Sequence, residues 1–307
     1  MGTDGSEPRR VFVTGGTGYV GRAVADAFRR AGHAVTVMVR GDAAADRLRA
    51  AGFAAVVADL RRPETYRAHA AAHDVVAHAA FEYDAAGEEV LNTEAMAVDA
   101  LLAACADAGA PRQLIYTSNA FLLGGMGPDP VDEDAPVGED RHVSSTRLRL
   151  ERTVLQTSTE TVRTAAVRVG SVYGGSGGTF PWLFELAGRD GWMPVWGTGE
   201  NRWSLVYLRD LADMYLRIAE HRASGVFHGA DGVPMTLAEI VKAAARAAGC
   251  GTRQVPARGV RDVLLRDVAV LPARARALGW APSIPSFREG AKVAWREWRA
   301  SARACPE

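Results

Sequence analysis

Val11-Phe12-Val13-Thr14-Gly15-Gly16-Thr17-Gly18-Tyr19-Val20-Gly21 decides the reading of this chain. An apolar run ends in glycines at 15, 18 and 21, and Val20, Val24, Phe28 and Ala31 then recur at helical spacing as far as Gly32. Strand, glycine turn and helix therefore follow one another. Such a turn lets backbone approach a pyrophosphate, while the helix start aims N–H groups and its positive dipole end at the same point. The residues placed to hold a dinucleotide there are Gly15, Thr17, Gly18, Tyr19 and Val20.

Outward from this stretch the pattern repeats. Strands are expected at Ala34–Arg40, Ala54–Asp59, Asp74–Ala79, Gln113–Ser118 and Thr164–Val169, with helices at about Thr93–Ala108 and Ser145–Gln156. Alternation of this kind demands parallel crossovers, so the fold class is α/β, a doubly wound Rossmann-type parallel sheet with a smaller C-terminal substrate lobe. After Val169 the texture changes. Gly170 to Gly178 reads as loop, and Trp182, Trp192, Trp196 and Trp203 crowd the next segment, as a substrate-facing lobe would. The chain is expected to return to the sheet near Ser204–Tyr207 and Gly225–His228, and to end in helices at about Thr236–Ala248 and Ser286–Ala300. The dinucleotide-binding domain is thus placed at 9–170 with returning segments at about 204–228, and the substrate lobe at 171–203 and 229–307.

The 307 residues are 48% apolar, enough for one large α/β unit or two coupled lobes. With 36 basic and 36 acidic residues interspersed, no electrostatic footprint for nucleic acid or anionic membrane arises, which leaves small molecules as the expected partners. Cys105, Cys250 and Cys305 are an odd number without metal-ligand spacing; ordinary thiols in a reducing cytoplasm are expected, with no metal. The first ten residues read as a disordered leader, and no apolar run has the length of a membrane span. Two lysines against 34 arginines, with abundant alanine, point to a high-GC genome.

The end of the second strand discriminates between cofactors. An acidic residue there would bind the adenosine 2′-hydroxyl, whereas a cation holds a 2′-phosphate. The chain has Arg40, whose planar fork suits phosphate, so NADP(H) is expected over NAD(H), with a solvated surface arginine as the alternative. Asp42 comes slightly too late to reverse this. Asp59-Leu60 is placed to meet the adenine, or else Asp59 caps a turn.

Taken together, Thr14 to Gly21, Asp59-Leu60, Val76-Ala77-His78-Ala79-Ala80, Tyr116-Thr117-Ser118, Arg168 to Gly174 and Val206 to Ala212 resemble the extended short-chain dehydrogenase/reductases over nearly the whole chain. The resemblance implies NAD(P)-dependent reduction, epimerisation or dehydration, with further cofactor contacts at Ala79, Ala80, Gly170, Ser171 and Val172. It also implies a catalytic Ser or Thr, Tyr and Lys, and none of the three transfers. Counting from Gly124 puts Asn119 at the hydroxyl position, with Ser118 one residue early; aligning through Glu151 puts Val143 at the Tyr position and Arg147 at the Lys position. No tyrosine lies between Tyr116 and Tyr173, so no shift of register restores the motif. Ser118, Ser144, Ser145 and His142 are surrogate donors by residue type, although a polar run ahead of a helix also serves as its N-cap. Arg147 is too basic to act as an acid and is expected to hold ribose hydroxyls.

Acid catalysis is typically worth a factor of ~10²–10⁴, less than orientation can contribute. Hydride transfer therefore survives the loss of the Tyr, provided the proton comes from water or from the substrate. An aromatic ketone with a neighbouring phenol supplies one internally, and Phe81, Tyr83, Phe121 and Trp182 could face such a ring, or equally be core. The expected function is an NADPH-dependent ketoreductase acting on an angucyclinone-like aromatic polyketide. The alternatives are an NADP-dependent epimerase or dehydratase, and a catalytically silent NADP-binding sensor or scaffold.

Overall fold

The computed structural model describes residues 7–81, 88–123, 127, 129–137, 145–259 and 262–304. Strands β1 (Arg10–Thr14), β2 (Ala34–Val39) and β3 (Ala54–Val57) alternate with helices α1 (Tyr19–Arg30), α2 (Asp42–Ala50) and α3 (Arg67–Ala71). The chain continues through β4 (Val75–His78), α4 (Glu88–Ala106), β5 (Arg112–Asn119), α5 (Ser145–Gln156) and β6 (Val162–Val169). Next come β7 (Ser171–Tyr173), α6 (Phe180–Asp190), β8 (Trp192–Trp196), β9 (Arg202–Trp203), β10 (Leu205–Tyr207) and α7 (Leu208–Glu220). β11 (Gly225–Gly229), β12 (Met235–Thr236), α8 (Leu237–Ala248), β13 (Gly251–Val255), α9 (Ala273–Ala277) and α10 (Phe287–Ala304) complete the fold.

The central parallel sheet has seven strands in the order β11-β6-β5-β4-β1-β2-β3, the doubly wound arrangement expected from the alternation. Its inner strands are buried on both faces. Phe12, Met38, Val76, Leu114 and Tyr116 pack with Tyr66 of the turn before α3, with Val98 and Leu101 of α4 and with Val154 of α5, while α1 covers β1, β2 and β4 with Val24, Ala25 and Phe28. Apolar runs such as Val11-Phe12-Val13, with no polar alternation, are what two-sided burial requires.

The chain forms two compact units. The first comprises the described residues through Ser118 together with Ser145–Val167 and Ala212–Val226; the second comprises Arg168–Leu211, the described residues from Phe227 onward and those between 119 and 144. In the second, β7 pairs with β10 and β8 with β13, both parallel, and β9 pairs antiparallel with β12. Tyr173, Phe180, Phe184, Met193, Trp203, Leu237, Ile240 and Phe287 fill its core.

Two sequence expectations are corrected. The stretch after Val169 is not all loop, because Ser171–Tyr173 is a strand, and Leu205–Tyr207 does not rejoin the main sheet but pairs with that strand. Three-residue strands carry too little periodicity to separate from loop, and pairing partners are a property of the folded chain. Gly225–Gly229 does join the sheet, at the edge beside β6. Among the described residues no helix is long and apolar enough to cross a membrane.

Candidate active site

In the first unit, strand order reverses between β1 and β4, and the register aligns Thr14 with His78 and His78 with Tyr116. Gly15, Ala79 and Thr117 are therefore the next residues out at the carboxyl edge, where open α/β sheets bind ligands. The glycine turn is fitted tightly. Gly15 has φ +71°, and a Cβ built on it would lie 2.6 Å from the Ala80 Cα and 2.7 Å from the Ala80 nitrogen. A Cβ on Gly21 would sit 2.3 Å from the Gly15 carbonyl oxygen, the atom that accepts from the Gly18 N–H at 2.8 Å. Gly18 is the N-cap of α1; no side chain caps this helix and its first turn holds no acidic residue. An uncapped N-terminus with Val20 and Gly21 in its first turn fits a pyrophosphate. Thr17 and Tyr19 belong to this turn.

Arg40 stands exposed directly after β2, where a 2′-phosphate could reach it, with Asp42 already inside α2. Asp59 is half-buried past the end of β3, and its Oδ1 accepts from the Arg61 N–H at 2.9 Å, so it closes a turn; Leu60 beside it is buried.

Behind the carboxyl edge lies a buried polar chain. Thr14 Oγ1 and His78 Nδ1 are hydrogen-bonded at 2.7 Å, and the His78 ring stacks on Tyr116 with centroids 6.0 Å apart. Burial, with the Arg147 charge adding to it, pulls the His78 pKa down to about 4, so the imidazole is neutral at physiological pH. Tyr116 Oη donates to Glu94 Oε1 at 2.7 Å, and Arg147 Nη2 donates to that same oxygen at 2.9 Å and to the Thr117 carbonyl at 3.3 Å. The Arg147 guanidinium lies 4.6 Å over the Phe81 ring centroid, which continues the segment Ala79-Ala80 packed on Gly15. Burial alone would lower the Arg147 pKa; Tyr116 and Glu94 outweigh it and hold the pKa above the ordinary value, so the group stays cationic. Burial raises the Tyr116 pKa far out of the acid–base range, with Glu94 acting in the same direction and Arg147 against it. The hydroxyl therefore stays protonated at neutral pH, with its proton held on Glu94.

Sequence reasoning missed Glu94 and Tyr116. Glu94 lies on α4, remote in sequence from both partners; an acidic residue among buried apolar ones was the only signal. Of the surrogate hydroxyls, Ser118 is buried and donates to Glu151 Oε2 at 2.5 Å, which commits its proton to the interior. Asn119 Oδ1 accepts from the Phe121 N–H at 2.7 Å, an Asx turn at the end of β5. Tyr83, His142, Val143 and Ser144 lie outside the described residues.

In the second unit Gly170 and Ser171 run against Ser204: a Cβ on Gly170 would lie 2.4 Å from the Ser204 oxygen, which accepts from the Ser171 N–H at 2.8 Å, with Val172 following in β7. The aromatic segment divides. Trp203 and Trp196 are core, one of the two readings open for the aromatic segment, and Phe121 packs edge-on against Trp203. Trp182 is 41% exposed in the first turn of α6, its ring stacked on Trp196 at 5.0 Å. In this unit burial pushes Asp231 up to about 7, and its Oδ2 has no partner among the described residues.

The geometry defines a nucleotide-binding α/β protein built around a glycine turn. Residues 11–228 match the NAD dependent epimerase/dehydratase family, and the chain belongs to it. Its class of activity is NAD(P)-dependent oxidoreduction or epimerisation. It is 31% identical over 92% of its length to the 3-diazoavenalumate denitrifying reductase of a Streptomyces species, covering 98% of that protein. It is 29% identical over 74% of its length to the 4-hydroxy-2-methyl-3-oxo-4-farnesyl-3,4-dihydroquinoline-1-oxide ketoreductase of Stigmatella aurantiaca, covering 70% of it. In fold it is similar to the human epimerase family protein SDR39U1 crystallised with NADPH, with TM-score 0.78 and 23% identity over 94% of this chain and 99% of that one.

Proposed function

We propose that the protein is an NADPH-dependent ketoreductase that reduces a ketone of an aromatic polyketide in antibiotic biosynthesis in the cytoplasm, without a tyrosine acid. The observation that carries this reading is a tight cofactor cradle, Gly15 against Ala80, in a chain with no tyrosine between the buried Tyr116 and Tyr173. Gly15, Thr17, Gly18, Tyr19 and Val20 would hold the pyrophosphate, Arg40 the 2′-phosphate, Asp59 and Leu60 the adenine, and Arg147 the ribose next to the nicotinamide. When bound, the reduced nicotinamide supplies a hydride.

Orientation alone accounts for much of the acceleration such an enzyme needs. Among the described residues, Tyr116 is held on Glu94 and Ser118 on Glu151, so neither hydroxyl is placed to protonate the alkoxide oxygen. A phenol next to the ketone supplies the proton. This lost triad resembles that of the ketoreductase acting on the angucyclinone portion of simocyclinone, and the ketoreductase name of the Stigmatella relative supports reduction of a carbonyl.

A second reading follows from the Streptomyces relative, a denitrifying reductase of a diazo compound. Hydride added to an aryl diazonium displaces dinitrogen and forms the arene, with no alkoxide to protonate, so it too needs no protein acid.

The test is oxidation of NADPH, followed by absorbance, with a phenol-bearing angucyclinone ketone, its O-methylated analogue and an aryl diazonium. Turnover of the free phenol with marked slowing of the methylated ketone supports the proposal. Turnover of the diazonium alone moves the assignment to the second reading. Binding of NADPH with no turnover of any of them makes the protein a silent NADP-binding sensor or scaffold and overturns both.

A further inference from the structure

Glu94 is 4% exposed and Arg147 17%, and the two are joined at 2.9 Å in the first unit. Taking an ion pair out of water costs desolvation that close geometry must offset, and the contacts of Arg147 with a Glu94 oxygen, the Thr117 carbonyl and the Phe81 face restrain the orientation of its guanidinium. The position is also informative. Thr117, whose carbonyl holds Arg147, is the first residue beyond the aligned Thr14, His78 and Tyr116, and Phe81 under the guanidinium follows the segment packed on Gly15. Arg147 is therefore held at the carboxyl edge that carries the glycine turn.

We propose that Glu94, itself fixed by the Tyr116 hydroxyl, is a positioning residue that clamps the Arg147 guanidinium so that it meets the nicotinamide ribose of the dinucleotide pre-oriented. This rests on the reading that the first unit binds NADP(H), and does not depend on which carbonyl compound is reduced. The clamp explains why arginine stands here. A lysine ammonium is a point charge on a flexible stem and cannot donate to a carboxylate and a carbonyl while lying flat on an aromatic ring. Two side chains that look unremarkable in sequence, Glu94 and Tyr116, thereby determine how a third one acts. They touch neither substrate nor cofactor and act only through Arg147.

The experiment is a double-mutant cycle on the affinity of the full-length protein for NADPH, measured by nicotinamide fluorescence, with adenosine 2′,5′-bisphosphate as a probe of the adenosine half alone. Glu94→Gln keeps an acceptor but removes the charge. It is expected to weaken NADPH about tenfold, consistent with loss of a charge-assisted hydrogen bond, while leaving the bisphosphate affinity unchanged. In an Arg147→Ala background the same substitution is expected to have no further effect, since there is nothing left to position. Tyr116→Phe, which deletes only the hydroxyl, should give a smaller loss of about threefold that also vanishes in the Arg147→Ala background, and it serves if Glu94→Gln does not fold. Equal weakening of NADPH and the bisphosphate, additivity with Arg147→Ala, or unchanged NADPH affinity in Glu94→Gln would each overturn the proposal. Failure of the unmodified protein to bind NADPH would remove the underlying cofactor reading, a separate outcome from intact binding that ignores Glu94.

Discussion

Replacing Gly15 by alanine perturbs the cofactor cradle at its tightest point. At φ +71° the new side chain sits in the left-handed region, which costs about 1–2 kcal/mol. The added Cβ would lie 2.6–2.8 Å from three backbone atoms of Ala79 and Ala80, where an unstrained carbon contact needs ~3.5–4.0 Å, so two backbone segments must separate by about 1 Å. No flexible side chain is available to yield. Overpacking of this kind costs a further 1–3 kcal/mol or so, for a total of about 2–5 kcal/mol. In a large domain each kcal/mol lowers Tm by about 2–4 °C, so a fall of about 4–20 °C is expected. NADPH affinity should drop at least tenfold even where the protein is folded, because the turn no longer presents the same backbone. Gly188→Ala is the contrast: this exposed glycine inside α6 has open space around it, and alanine there should raise stability by about 0.5–1 kcal/mol. Thermal unfolding by circular dichroism and NADPH titration check both. A Gly15→Ala protein whose Tm stays within about 1 °C of the parent, with unchanged NADPH affinity, would refute the reasoning.

Arg40→Ala should weaken NADPH by roughly 10–100-fold, as loss of a charge-assisted contact implies, and leave NADH nearly unaffected; equal losses for the two would show that Arg40 does not read the 2′-phosphate. Asp231 takes up a proton on folding between its unfolded value of 3.8 and about 7, so its contribution to stability falls as pH rises through that window and is flat above it. His78 and His228, each pulled down to about 4 by burial, slope the opposite way below 6.5, and the Asp231→Asn variant isolates the carboxyl. Urea unfolding at about pH 5 and about pH 8 should show the variant gaining on the parent at the higher pH, and a constant difference would contradict a raised Asp231. Val143→Tyr should leave the rate of ketone reduction largely unchanged if the substrate donates its own proton; a large gain would locate the deficit in the protein.

The sequence by itself determined the α/β class and the glycine turn, because both are written in local signals: apolar runs of strand length, helical recurrence after Gly21, and glycines where backbone must close up. It also showed that no tyrosine lies between Tyr116 and Tyr173, a statement that needs no alignment. Leu205–Tyr207 was misplaced because a three-residue strand has no periodicity of its own and its partner, Ser171–Tyr173, is chosen in three dimensions. For Trp196 and Trp203 the sequence left ring-facing and core readings equally open, and packing made them core. Only the tertiary structure decided what surrounds Arg147: Glu94 from α4 and Tyr116 and Thr117 from β5 are brought together by pairing and burial rather than by spacing. Charge pairing inside a protein depends on which side chains share a low-dielectric neighbourhood, and that neighbourhood exists only once the sheet has formed.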